Sequence, residues 1–270
     1  MNYTNKKSAK KQAGVTYLGG IATSYKIAKS LQYGVATYVL YLAPWKSAGY
    51  TSQGKQINTC AKATSECISG CLNTAGQARL REEVNNARII RTRLFYNNRD
   101  FFMDWLIAEI ETAKKLAAKK MQKFAVRLNG TSDLSPELFK RNGKNILEIF
   151  PDVQFYDYTK VFNRSALLAK YKNYHLTFSY SGENWSECEA FLKTGGNAAI
   201  VFNVRRKKAL PAMYKGFNII DGDLHDYRPL DGNRILVGLR WKEIKDRKVN
   251  KELKETSRFV IRIESNTFVN

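Results

Sequence analysis

The sequence predicts an α/β fold, a partial or complete (β/α) barrel of parallel strands with a C-terminal antiparallel strand pair. Three observations predict it. Between Phe124 and Ile220, short apolar and β-branched runs alternate with helical patterns, the rhythm of parallel βα units with right-handed crossovers. Polar residues gather just after these runs, and a parallel barrel brings its strand ends to one mouth. The last two apolar runs, residues 234–241 and 259–263, are joined by a charged linker from Lys242 to Glu255, which suggests a terminal hairpin or added edge strands. At 270 residues and 44% hydrophobic, the chain buries one sizeable core. Residues 15–270 are therefore expected as one domain behind a flexible basic arm of residues 1–14.

The arm is lysine-rich with little apolar content, and reads either as a contact to a phosphate backbone or as an expendable flexible tail. Residues 15–31 suggest a turn at Gly19-Gly20 and then a short helix that Gly34 can terminate. Residues 35–42 form the first expected strand. Residues 84–95 and 101–121 are helical, divided by Asn-Asn-Arg-Asp, with Asp100 as the expected N-cap and F-F-M-D-W-L-I-A-E-I spacing apolar positions three and four apart. Lys114, Lys115, Lys119 and Lys120 fall at its end, where cations suit the helix dipole. Strands are then expected at 124–129, 153–158, 175–180, 198–204 and 217–220. Helices are expected at 135–150, 164–171, 183–193 and 207–214.

Between the first strand and the first long helix lies C-A-K-A-T-S-E-C-I-S-G-C, which carries Cys60, Cys67 and Cys71; Cys188 stands apart. No run approaches the roughly 18 apolar residues of a membrane helix. The N-terminal stretch also lacks the apolar core of a signal peptide, so a cytosolic location is expected. In a reducing compartment, clustered thiols serve as metal ligands or redox groups rather than staples. Cys thiolates hold iron–sulfur clusters or Zn²⁺, and three on one short loop leave a coordination position open for a substrate, a cofactor or a fourth ligand. Zinc would need a fourth ligand from Cys188, His175 or His225, and buried thiols without a metal are the third reading.

The expected strand ends supply Arg127, Asn129, Thr131, Ser132 and Asp133, then Asp157, Thr159 and Lys160, then Ser179, Ser181 and Glu183, then Asn203 and Arg205. The loop D-G-D-L-H-D-Y-R adds Asp221, Asp223, His225, Asp226 and Arg228. Its carboxylates can take Mg²⁺ or Ca²⁺, but without EF-hand spacing a hydrogen-bonded turn is the simpler reading. His175 opens a strand and reads as a packing residue. The formal net charge of +21, from 45 Lys plus Arg against 24 Asp plus Glu, points to DNA or RNA as a partner through a basic surface, with an aid to solubility as the plainer reading, and no membrane partner is expected.

T-Y-V-L-Y-L-A-P, C-A-K-A-T-S-E-C-I-S-G-C-L-N-T-A-G, V-R-L-N-G-T-S-D and F-Y-D-Y-T-K resemble the phage family called gene product eighty-eight, over most of the chain from about Leu18. That resemblance implies a protein of a bacterial virus at work in the host cytoplasm. A second resemblance is to radical S-adenosylmethionine enzymes, whose cysteines follow the first strand of a partial barrel. Their usual spacing is C-x3-C-x2-C with an aromatic before the last cysteine. Here it is C-x6-C-x3-C with Gly70 at that place. The resemblance implies a 4Fe-4S cluster on Cys60, Cys67 and Cys71, and S-adenosylmethionine oriented by Asn129, Thr131, Ser132 and Asp133. Asp157, Lys160, Ser179 and Ser181 would then face the substrate as catalytic residues. Two other classes stand beside this enzyme: a basic nucleic-acid-binding protein with structural zinc, and a virion or host-takeover protein that keeps the fold without catalysis.

Overall fold

The computed structural model describes residues 5–21, 25–71, 82–205, 208–244 and 246–263. The chain packs as two compact units, one of residues 1–61, 81–157 and 171–175, the other of residues 62–80, 158–170 and 176–270.

The first unit is centred on β2 (Val35–Leu40), whose six residues are all buried, as expected of a strand covered on both faces. Antiparallel to it runs β1 (Gly19–Ile21), and parallel to it runs β3 (Lys123–Arg127), which in turn pairs in parallel with β6 (Gln154–Thr159). The expected turn at Gly19-Gly20 is thus a strand. A Cβ at Gly19 would stand 2.5 Å from the Val39 carbonyl oxygen and 2.6 Å from the Tyr38 ring, so the close pairing needs glycine.

The lysine-rich start, expected as an arm, forms α1 (Lys6–Ala13), capped by the Asn5 side chain and closed by Gly14 at φ 72°. A short α2 (Tyr25–Ala28) runs into a 3-10 turn that Gly34 ends at φ 71°, as expected. The helices α4 (Glu82–Asn97) and α5 (Arg99–Lys119) abut at Asn98, whose side chain rather than that of Asp100 caps α5. α5 buries Phe101, Phe102, Trp105, Leu106, Ile110, Ala113 and Ala117 and packs on β1, β2 and β3. Each large apolar side chain so buried contributes about 1.5–3 kcal/mol. On the same helix, the buried carboxylate of Glu109 accepts the Leu18 and Gly19 N–H groups at 3.1 Å and the Tyr38 hydroxyl at 2.6 Å. Burial first, then Glu109, holds the Tyr38 phenol well above its ordinary pKa, which keeps it a donor.

A helix over residues 135–150 does not form. A 3-10 turn at Pro136–Leu138 leads into the hairpin β4 (Lys140–Arg141) and β5 (Lys144–Asn145), then the short α6 (Ile146–Ile149). Asn142 and Gly143 lie at φ 51° and 80°, the left-handed pair that an Asn-Gly hairpin turn requires.

The second unit contains α3 (Ser65–Ser69), α7 (Leu167–Lys170), α8 (Trp185–Lys193) and α9 (Arg247–Glu255). Its strands are the greater part of β7 (Tyr174–Ser179), β8 (Asn197–Phe202), β9 (Met213–Tyr214), β10 (Phe217–Asp221), β11 (Leu236–Arg240) and β12 (Val260–Ile261). The expected helix at 207–214 is replaced, in its described part, by β9, which turns through Lys215 and Gly216 into β10. The expected terminal hairpin is also corrected. β11 pairs in parallel with both β8 and β10, while β12 pairs in parallel with Val201 and Phe202 of β8. The reason is visible in the linker, where Asp246 caps α9 and supplies a crossover helix. The antiparallel pair near the C-terminus is β9–β10.

The hydrogen-bonded order is β1-β2-β3-β6 in the first unit and β7-β8-β11-β10-β9 in the second, both mostly parallel, which makes this a mixed α/β fold. Among the described residues, no strand pairing closes either set into a barrel.

Candidate nucleic-acid interface

Of the polar residues expected to hold a cofactor after β3, Asn129 and Ser132 are bonded to each other, and Asn129 is bonded to Asp157. Asp157 is fully buried, and its carboxylate accepts the Asn129 N–H at 2.7 Å, the Asn129 side-chain amide at 3.2 Å and the Tyr174 hydroxyl at 2.9 Å. The Asn129 amide also donates to the Leu134 carbonyl, and its oxygen accepts from the Ser132 hydroxyl and the Leu134 N–H, both at 2.8 Å. All four hydrogen-bonding positions of this amide are thereby filled, three within the loop and one by Asp157 of β6. Thr131 donates to the Leu42 carbonyl at 2.5 Å, and Asp133 donates its N–H to the Thr59 carbonyl. Gly130 allows the loop to lie against Tyr41, since a Cβ there would stand 2.6 Å from that ring.

In the second unit, α3 is pinned by its own polar residues. Thr64 accepts the Cys67 N–H and donates its hydroxyl to the Ser181 carbonyl, while Glu66 accepts the Arg258 and Phe259 N–H groups at 3.2 and 2.9 Å. Ser181 is buried and donates its N–H to Asn184, which in turn donates to the Ser179 carbonyl. Cys188 is fully buried. Burial, then Glu187, pushes its thiol up to about 12 against the opposing pull of Lys160, so it remains protonated and inert near neutral pH.

Cys60 belongs to the first unit, where its sulfur accepts the Trp45 N–H at 3.3 Å and lies 3.9 Å from the Thr131 carbonyl. Cys67 and Cys71 belong to the second unit. Among the described residues, no group of three or more His, Cys, Asp or Glu side chains is gathered so as to hold a metal ion. The Asn129 amide makes its hydrogen bonds to Leu134, Ser132 and Asp157.

The loop around Asp221 is a salt-bridged turn. Arg240 lies 2.8 Å from both Asp221 oxygens and 3.3 Å from Asp223, and its own N–H donates to Asp223. The guanidinium thus pairs with both carboxylates of the turn. Arg228, fully buried, meets His225 Nδ1 at 3.0 Å and Asp231 at 3.3 Å. His175 is half-buried within β7, in keeping with a packing role.

These contacts bear on where the charge lies. The buried charged residues are Arg88, Arg91, Arg164 and Arg228 against Glu109, Asp157 and Asp226, a nearly balanced set with no lysine among the described residues. The positive excess is therefore outside the core. It is also unevenly distributed, since residues 1–65 contain nine lysines and no Asp or Glu. This one-signed stretch is a signal that the chain-wide charge averages away. In the second unit, a cleft of about 430 Å³ is lined by Asn203, Arg205, Asn250, Lys251, Lys254 and Glu255.

Within the acid-free stretch, the loop between β2 and Cys60 has its backbone tied down while its aromatic side chains stay exposed. Thr59 donates its N–H to Trp45 O and its hydroxyl to Ala43 O, Ile57 N–H bonds Gly49 O, Thr51 N–H bonds Lys55 O, and Arg93 holds Ala48 O. Trp45 is 37% and Tyr50 59% exposed. Trp45 adopts φ 48°, and the Lys46 ammonium lies 5.5 Å from its ring centroid.

Mixed α/β architecture with a lysine-rich, acid-free N-terminal stretch defines a basic α/β protein. The family model described as Gene product 88 matches residues 2–262, and the chain belongs to that family of phage gene products. No curated protein and no solved structure matches the chain. Among the described residues, no helix is long and apolar enough to cross a membrane.

Proposed function

We propose that this protein binds DNA or RNA through its basic surface, as a phage product working in the host cytoplasm. The observation that carries this reading is the distribution of charge. Nine lysines and no carboxylate occupy residues 1–65, and Lys7, Lys10, Lys11, Lys46, Lys55 and Lys62 are all exposed. The first carboxylate in the chain, that of Glu66, is held by two backbone N–H groups. A surface of this kind attracts a polyanion and displaces its counterions on contact, which makes binding strongly salt-dependent. The reading assigns no bond-breaking role to Asp157, Lys160, Ser179 or Ser181 and needs no metal.

Fluorescence anisotropy with labelled oligonucleotides tests it. Binding is expected at low salt. For about six phosphate contacts, affinity falls about a thousandfold between roughly 50 and 200 mM salt. Absence of binding to any DNA or RNA at low salt would overturn the proposal.

A further inference from the structure

We infer that the loop from Ala43 to Cys60 is a base-stacking platform for single-stranded nucleic acid, with Trp45 and Tyr50 as stacking side chains and Lys46 and Lys55 as phosphate contacts. The inference rests on the nucleic-acid reading above and gives it a site and a substrate class. Three features of the loop support it together. The first is exposure: a Trp and a Tyr stand out of a loop whose neighbours Ala43, Ala48 and Ile57 form a small buried cluster of their own. The small buried cluster is built from other residues, and the two large rings stand partly in water, Tyr50 more so than Trp45.

The second feature is rigidity. The backbone bonds from Trp45, Ala48, Gly49 and Thr51 to Thr59, Arg93, Ile57 and Lys55 fix the loop before any ligand arrives, and the Tyr50–Gln56 bridge ties its middle. Little ordering remains to be done on binding, which favours affinity. Trp45 is also held at a left-handed φ of 48° by Cys60 on its N–H and Thr59 on its carbonyl. That conformation is unfavourable for a non-glycine residue, and such strain gathers at functional sites.

The third feature is charge. Residues 43–60 carry Lys46 and Lys55 and no Asp or Glu, and the Lys46 ammonium stands beside the Trp45 ring. Aromatic faces interleaved with cations match a chain of bases linked by phosphates. Every base offers a π-face, but in a duplex both faces are covered by neighbouring pairs. An aromatic platform therefore selects unstacked, single-stranded substrate.

The experiment compares labelled oligo-dT, oligo-U and a duplex of equal length against wild type, Trp45→Ala, Tyr50→Ala and Trp45→Phe. Each alanine variant is expected to weaken single-strand binding about 5- to 100-fold, with duplex binding changed by less than about twofold and Trp45→Phe close to wild type. Loss confined to oligo-dT assigns DNA and loss confined to oligo-U assigns RNA; either supports the inference. Intrinsic fluorescence gives an independent reading: single-strand binding quenches tryptophan emission in wild type, and that quenching is lost in Trp45→Phe. Circular dichroism and urea midpoints verify that the variants are folded. If wild type binds no nucleic acid at low salt, both readings fail. If wild type binds while the folded alanine variants bind single strands equally well and quenching survives in Trp45→Phe, or duplex binding falls in parallel, this inference alone is overturned.

Discussion

Asn129 and Trp45 both lie just beyond the carboxyl end of a parallel strand in the first unit, and their side chains have opposite fates. Asn129 is buried, with every amide position bonded inside its own loop or to Asp157. Around Trp45 the backbone is bonded and the ring stands partly in water. A strand end rich in polar residues is therefore not by itself a pocket. Hydrogen-bonding groups that saturate one another offer a ligand nothing, whereas a rigid backbone with exposed rings keeps its recognition surface available.

The largest effect that sharpens this contrast is expected at Asp157. Asp157→Ala leaves the Asn129 N–H, the Asn129 amide and the Tyr174 hydroxyl without their shared acceptor. Unsatisfied buried donors cost about 1–3 kcal/mol each, so a loss of about 3–5 kcal/mol is expected in urea unfolding, with oligonucleotide binding by the remaining folded protein unchanged. A loss under about 1 kcal/mol would break the contrast by showing that the network is dispensable. Thr131→Val is the milder case. It removes the hydroxyl bond to the Leu42 carbonyl and is expected to lower stability by about 1 kcal/mol, again without affecting binding.

The contrast also explains which features were legible in the sequence. The apolar run at Val35, the three-and-four spacing of Phe101, Trp105 and Ile110, and the terminating Gly34 are local signals, and the corresponding elements formed. Asn142-Gly143 is equally local, and its hairpin turn prevails over the helix expected across residues 135–150. The fate of Asn129 was not legible, because its partner Asp157 and that partner's second donor Tyr174 come from other strands. Counting polar residues cannot show whether they satisfy one another. Trp45 follows the apolar run to Pro44 directly, and nothing local in the sequence marks it as exposed. Its exposure depends on Ala43, Ala48 and Ile57 filling the space beneath the loop.

The smallest effect probes the strain itself. Trp45→Ala and Trp45→Gly lose the same indole, but alanine at φ 48° retains the left-handed penalty and glycine does not. The loop bonds to Cys60 and Thr59 hold the backbone in that region whichever side chain is present. Trp45→Gly is therefore expected to unfold at higher urea than Trp45→Ala, by about 0.5–1 kcal/mol after allowing for glycine's greater freedom in the unfolded chain. Both variants are expected to bind oligo-dT equally weakly. Equal stability of the two would mean that the tryptophan, rather than the loop, sets the backbone angle. A more stable glycine variant that has lost single-strand binding would mean that the loop tolerates a strained tryptophan for what its ring recognises.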